Sequence, residues 1–238
     1  YTLGQRLGID NLAKYAKKLG FGSHTGIGLS GEKSGLIPST AWKKRVKNEV
    51  WFPGETISAS IGQGYNLVTP LQNASMISAI ANGGFLSKPY LVKKIEDSEG
   101  KLIKEFPPKN LTSIEMDPEI LKHLKEGLRG VVYEPHGTGH RARLKNIVVS
   151  GKTGTAQVVG MKDSKDIDPE EKIPYSFRDH AWFVAFAPYE KPDIAVSIII
   201  EHGGHGGETA APIARKIMEN YFIHYPPAKI SENNLNIN

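Results

Sequence analysis

Lys152-Thr153-Gly154-Thr155, inside the run NIVVSGKTGTAQVVG at 146–160, sets an ammonium, two hydroxyls and a bare backbone position side by side. Two chemistries use such groups. Gly151-Lys152-Thr153 matches the end of a phosphate-binding loop, whereas on a strand the same residues would grip a carboxylate. A phosphate loop needs G-x-x-x-x-G-K-[ST], with a strand before it and a helix opening at the lysine. Here Asn146 stands at the first glycine, and Ile147, Val148 and Val149 fill the loop. β-Branched residues resist the backbone conformations that wrap N–H groups around a phosphate. The following GTAQVVG is poor helix and good strand, so the nucleotide-binding reading fails.

On a strand the tetrapeptide has its own logic. Alternation puts the hydroxyls of Thr153 and Thr155 on one face, spaced to bond a single carboxylate. Gly154 removes a side chain where a second backbone would lie close along the edge. Lys152 supplies positive charge that holds an anion or favours deprotonation of a neighbour. A strict pleat aims Lys152 at the opposite face, so its long stem, or a twist at Gly151, must bring it round. An ordinary strand with surface lysine and threonine would carry the same four residues, and the surroundings must decide.

The elements that would position these groups are legible in outline. The 238 residues suffice for one large domain or two small ones. Asp10 is expected to cap a helix over DNLAKYAKKLG, with Ile9 as a staple and Gly20 as the stop. FGSHTGIGLSGEKSGLIPS carries too many glycines for a helix and reads as a long ordered loop. Thr69, Pro70 and Gln72 make a capping box that opens a second helix, ended by Gly83-Gly84. YLVKKIEDSEGKLIKEF alternates and turns at DSEG as a hairpin. Asp117-Pro118 opens a helix with Ile120, Leu121, Leu124 and Leu128 on one face. NIVVSGKTGTAQVV, HAWFVAFAP and DIAVSIIIE are strands, the last two an antiparallel pair with Trp182 and Phe186 in the core. PIARKIMENYF closes the chain as a helix with Ile213, Ile217, Met218 and Tyr221 inward. Helices, then antiparallel strands, then a closing helix indicate an α+β fold.

Composition narrows the function. With no cysteine, thiolate catalysis, disulfides and Cys-based zinc sites are excluded. The net charge of +5 is scattered without a basic block, which argues against nucleic acid and leaves an anionic small ligand open. No apolar run is long enough to span a bilayer. Tyr1, Leu3 and Leu7 look like part of an element already under way, so the chain is expected to be a fragment.

GETISASIGQGYNLVTPLQNASMISAIANGG, then HGTGHRAR, SGKTGTAQV and HAWFVAFAP resemble, in that order, the transpeptidase domain of class B penicillin-binding proteins. TGIGLSGEKSGLIPS and SIGQGY look most like the elongation-type branch, penicillin-binding protein 2. The resemblance runs from about Tyr1 to Phe222. It implies the penicillin-binding protein and serine β-lactamase-like fold, an antiparallel sheet packed by helices, incomplete in this chain. Residues 1–224 would be the carboxyl-terminal part of the transpeptidase domain and 225–238 a frayed tail. The family's catalytic motifs are S-x-x-K, S-x-N and K-T-G. Only the third has a convincing match. The attack requires serine at a helix start with lysine one turn on. Ser30 to Lys33 is glycine-flanked, Ser98 to Lys101 sits in the DSEG turn, and Ser231-Glu232-Asn233 follows the third motif instead of preceding it.

The resemblance thus implies a serine-type D-Ala-D-Ala transpeptidase whose nucleophile is not in this chain, which alone would be inert. It implies Thr153 and Thr155 as carboxylate binders, Lys152 as the electrostatic member, and the Thr155 backbone N–H in the oxyanion hole. Gly154 would leave room for the substrate backbone. Partners implied are a peptidoglycan stem peptide ending in D-Ala-D-Ala, β-lactams, and a membrane glycan polymerase of the elongation machinery. The place implied is the extracytoplasmic face of the bacterial inner membrane, with an anchor outside this chain. No cofactor or metal is implied, although His202, His205 and Glu208 stand three apart in a glycine loop. Gly62, Gln63 and Gly64 either approach the cleft or form a simple turn. A non-catalytic domain binding peptidoglycan or a partner, or a relative that hydrolyses or senses β-lactams, would share much of this pattern.

Overall fold

The computed structural model describes residues 1–158 and 174–227. Most of the charged run MKDSKDIDPEEKIPYSFRD at 161–179, whose composition reads as a solvated loop, and the tail from residue 228 with Ser231-Glu232-Asn233, lie outside the described residues.

Five helices come first: α1 (Thr2–Leu7), α2 (Ile9–Lys18), α3 (Thr40–Lys47), α4 (Pro53–Ser60) and α5 (Pro70–Ala81). Asp10 does not cap α2, whose N-cap is Gly8. Its carboxylate instead accepts the Thr40 N–H at 3.0 Å and the Thr40 hydroxyl at 2.8 Å, capping the start of α3 from another helix. An acid near a helix N-terminus is favourable whichever element supplies it. The glycine-rich run is a loop as expected, pinned where Glu32 accepts from the Thr25 N–H and hydroxyl. Those bonds hold the Glu32 carboxyl below the ordinary value.

α3 and α4 are joined by an unusual buried lysine. Lys43 is 1% exposed, donates to both Glu55 oxygens at 2.7 and 2.8 Å, and lies 4.7 Å from the Phe52 ring centroid. Burial alone would lower its pKa, but Glu55 and then Glu49 outweigh that and raise it. Glu55 also accepts the Phe52 N–H at 2.8 Å, closing the first turn of α4. This anchor matters because the turn after α4 reaches the site described below.

The capping box of α5 is present in full: Gln72 N–H donates to the Thr69 hydroxyl, and Thr69 N–H to the Gln72 carboxamide. That buried carboxamide also donates to the carbonyls of Ser23 and Ser34, both at 2.8 Å. One side chain therefore starts the helix and staples the loop to it.

Two small antiparallel pairs follow, β1 (Phe85–Ser87) with β4 (Asn110–Ser113) and β2 (Lys94–Glu96) with β3 (Leu102–Glu105), the latter being the expected hairpin. α6 (Pro118–Tyr133) opens at Asp117, whose carboxylate accepts the Glu119 N–H. Leu128 is buried as expected, but Ile120 is 61% exposed and belongs to the outer side; Val132 takes the inner position a turn after Leu128.

The principal sheet has the order β5 (Ser150–Ala156), β6 (His180–Ala187), β7 (Ile194–Ile200), antiparallel throughout. β6 lies in the middle and is apolar on both faces. Phe183, Ala185 and Ala187 pack with Val132 and with α7 (Ala210–His224), while Val184 and Phe186 pack with Ile77 and Ile80 of α5. On α7 the inward residues are Ala210, Ala211, Ala214, Met218 and Phe222; Ile213 and Ile217 are partly exposed, against expectation. Alanines let the helix lie close on the sheet, which turns the bulkier isoleucines outward.

Replacing Gln72 by leucine keeps the volume but strands the Ser23 and Ser34 carbonyls and the Thr69 N–H. The expected loss is about 2–4 kcal/mol of stability, measured by urea unfolding.

Candidate active site

β5 pairs with β6 along one edge. Cross-strand partners share a face, so Thr153 (opposite Phe183) and Thr155 (opposite Ala181) lie on one face, as alternation requires. Lys152 (opposite Val184) and Gly154 (opposite Trp182) lie on the other, which walls a cavity of about 600 Å³ together with Leu12 and Ala16 of α2. Trp182 lines this cavity and is only half-buried, so it is a wall of the cleft, not core; Phe186 is fully buried.

The stem of Lys152 does come round. Its ammonium donates to the Thr153 carbonyl at 2.9 Å and stands 3.5 Å from the Thr153 hydroxyl. That hydroxyl bonds the Thr138 hydroxyl at 2.7 Å. An ammonium and two hydroxyls thus form one polar chain across the strand, the donor set a carboxylate needs. Burial lowers the Lys152 pKa from the ordinary lysine value. Among the described residues no carboxylate pairs with it, so an incoming anion would supply the missing counter-charge.

Two glycines hold this chain in place. A Cβ at Gly206 would lie 2.0 Å from the Trp182 carbonyl oxygen and 2.7 Å from that of Gly154. One at Gly207 would lie 2.1 Å from the Thr138 carbonyl oxygen. The loop before α7 therefore rests directly on the sheet, and Arg141 ties the Thr138 segment to it by donating to the Glu208 carbonyl at 3.2 Å. At Gly154 a Cβ would sit 3.1 Å from the Trp182 Cβ, so any side chain there crowds the cavity wall.

The turn between α4 and α5 reaches the same strand. Gln63 Nε2 donates to the Thr155 carbonyl at 3.0 Å across 92 residues of sequence, so the Gly62–Gly64 turn does approach the cleft. Thr138 was not singled out in the sequence, although it lies inside HGTGHRAR; nothing local marks it as a partner of Thr153. Ser30 and Lys33 lie in loop, and Ser98 and Lys101 at the hairpin turn, so neither pair shares a helical face. His202 packs against Tyr175 and against His180, which starts β6 opposite Ala156 and lines the cavity, and the described residues include no cluster of three or more metal-ligating side chains. Among the described residues no helix is long and apolar enough to cross a membrane.

The penicillin binding protein transpeptidase domain model matches residues 1–219. The chain belongs to that family. It is 36% identical over 225 residues to the peptidoglycan D,D-transpeptidase MrdA of Salmonella typhimurium, covering 93% of this chain and 36% of that protein. The chain therefore spans about a third of the length of this curated relative. The structure of Pseudomonas aeruginosa penicillin-binding protein 2 in complex with WCK 5153 superposes with a TM-score of 0.79 at 33% identity, covering 99% of this chain and 49% of that one. Penicillin-binding protein A of M. tuberculosis, as its ceftriaxone acyl-enzyme, gives 0.73 at 26% identity, covering 92% and 44%. The fold of this transpeptidase-domain chain is that of the family, α+β with an antiparallel sheet packed by helices, present in part.

The lowered lysine sets a titration test. With ¹³C-methylated lysines, Lys152 should titrate below the 10.5 of an unperturbed lysine, and an added carboxylate such as acetate should move it upward. Carboxylate affinity should fall as pH rises through that lowered value. A midpoint at or above 10.5 contradicts the desolvated site.

Proposed function

We propose that this chain supplies the carboxylate-binding strand of a serine-type peptidoglycan D,D-transpeptidase of the elongation type. The polar chain Lys152–Thr153–Thr138 at an accessible strand edge beside a cavity carries this reading. Membership of the transpeptidase family and the likeness to MrdA support it. In the proposed reaction a serine hydroxyl from the rest of the protein attacks the carbonyl between the two D-alanines of a stem peptide. The terminal D-alanine leaves with the proton on its amine, and an amine of a neighbouring stem then displaces the serine from the acyl-enzyme.

Thr153 and Thr155 hold the terminal carboxylate, and Lys152 supplies charge beside it. The Thr155 N–H meets the developing oxyanion, where a fixed donor is worth about 2.7–4 kcal/mol. β-Lactams present the same carboxylate and acyl carbon and would acylate the same serine. Residues 1–224 would act as one unit of the transpeptidase domain, on the extracytoplasmic face of the bacterial inner membrane. The anchor and the nucleophile would belong to the rest of the protein, and a membrane glycan polymerase of the elongation machinery would be its partner.

The test is labelling of the full-length protein with a fluorescent penicillin. Wild type should be labelled, and Thr153→Val should slow acylation about 10- to 100-fold, the loss of a hydrogen bond to a charged group. Gly154→Val should slow it through crowding at Trp182. Unlabelled wild type, or acylation indifferent to both changes, overturns the proposal.

A further inference from the structure

In an antiparallel strand the N–H and C=O of one residue point to the same edge, and alternate residues point to opposite edges. The Gln63 bond marks the Thr155 carbonyl as facing away from β6, and by the two-residue repeat Thr153 faces the same way. Both outward carbonyls are occupied by side-chain donors, Thr153 by the Lys152 ammonium and Thr155 by the Gln63 carboxamide. An extended chain that adds to this edge must donate its own N–H to these acceptors. Gln63 therefore stands where a docking backbone would bond.

Its mounting suits a part that withdraws. The Gln63 backbone is fixed: its N–H donates to the Ser58 carbonyl at 3.0 Å and its own carbonyl accepts from Asn66 Nδ2 at 3.0 Å. Gly62 and Gly64 flank it at φ values of 80° and 72°, which only glycine adopts cheaply. Among the described residues the Gln63 side chain makes one hydrogen bond, the bond at its tip to the Thr155 carbonyl. A glutamine reaches about as far as the roughly 4.8 Å between hydrogen-bonded strands. Its withdrawal clears room for one extended chain.

We propose that Gln63 is a displaceable plug: it satisfies the Thr155 carbonyl while the edge is empty and competes with the backbone N–H of an incoming acyl donor. The plug rests on the proposed function, since it takes the β5 edge to be the peptide groove. It makes Gln63 a specificity-determining residue. A donor with an N–H at that position exchanges one hydrogen bond for another, whereas a ligand that lacks the arm carrying it leaves the plug seated.

The experiment compares acylation of the full-length protein by benzylpenicillin, whose acylamino N–H stands in for the peptide N–H, and by penicillanic acid, which lacks the acylamino arm and so leaves the edge at Gln63 empty. Gln63→Ala should raise the second-order rate constant for benzylpenicillin about two- to tenfold, the worth of one neutral hydrogen bond, and leave that for penicillanic acid unchanged. Gln63→Asn keeps the amide but falls short of Thr155, and should match the alanine variant. Equal changes for both compounds, or slower acylation by benzylpenicillin in both variants, overturn the plug and make Gln63 a structural wall.

A second readout separates the two proposals. Adding acetyl-Lys-D-Ala-D-Ala to wild type should move the Gln63 side-chain amide resonance toward its solvent-exposed position. If penicillin fails to label wild type, the functional reading falls, and the plug is then judged by this shift alone. A Gln63 amide that does not move sinks it.

Discussion

β5 has two hydrogen-bonding edges, and among the described residues only one of them is paired with a strand, β6. Everything that makes the site a site follows from that asymmetry. The paired edge fixes register, so Gly154 meets Trp182 and Thr153 meets Phe183 without slippage. The other edge keeps backbone groups directed at solvent and ligand, a liability in most proteins because it invites pairing with any passing strand. Here that edge is guarded by donors the protein supplies itself, an ammonium and a carboxamide, and by a lysine charge that repels basic or apolar intruders and welcomes anions.

The electrostatics depend on the same placement. Lys152 leaves a face that looks into an apolar cavity and bends back to the edge, where its exposed ammonium meets one carbonyl and one hydroxyl. Partial desolvation lowers its pKa, and a carboxylate beside it would favour the charged form. Thr138 extends the donor set from a different segment, which is why the loop before α7 must lie flat against both Thr138 and Gly154.

How much of this was legible depended on distance along the chain. The Thr69-Pro70-Gln72 box is a local code within four residues, and the alternation of Thr153 and Thr155 is local too; both read correctly. Asp10 carried a helix-start signal and was assigned to its own helix, but its carboxylate serves one 30 residues on. α3 and α4 escaped because the inward residue of α3 is Lys43, whose buried partner Glu55 no hydrophobic pattern announces. On α7, isoleucines look like core residues, yet the alanines decide which side packs. Gln63 and Thr138 were the hardest, since each acts through a single contact with a strand remote in sequence.

The alanine-lined seat of α7 has a mechanical consequence. Ala181, Ala185, Ala210, Ala211 and Ala214 are all inaccessible to solvent, so the first turns of α7, ahead of Met218 and Phe222, meet the sheet with little pliable side chain between them. Long side chains cushion a load by changing rotamer; methyl groups have no rotamers to change. The strand is therefore mounted on a stiff backing. A guest pressing on its free border must adapt its own shape, and discrimination falls on the rigidity of the guest.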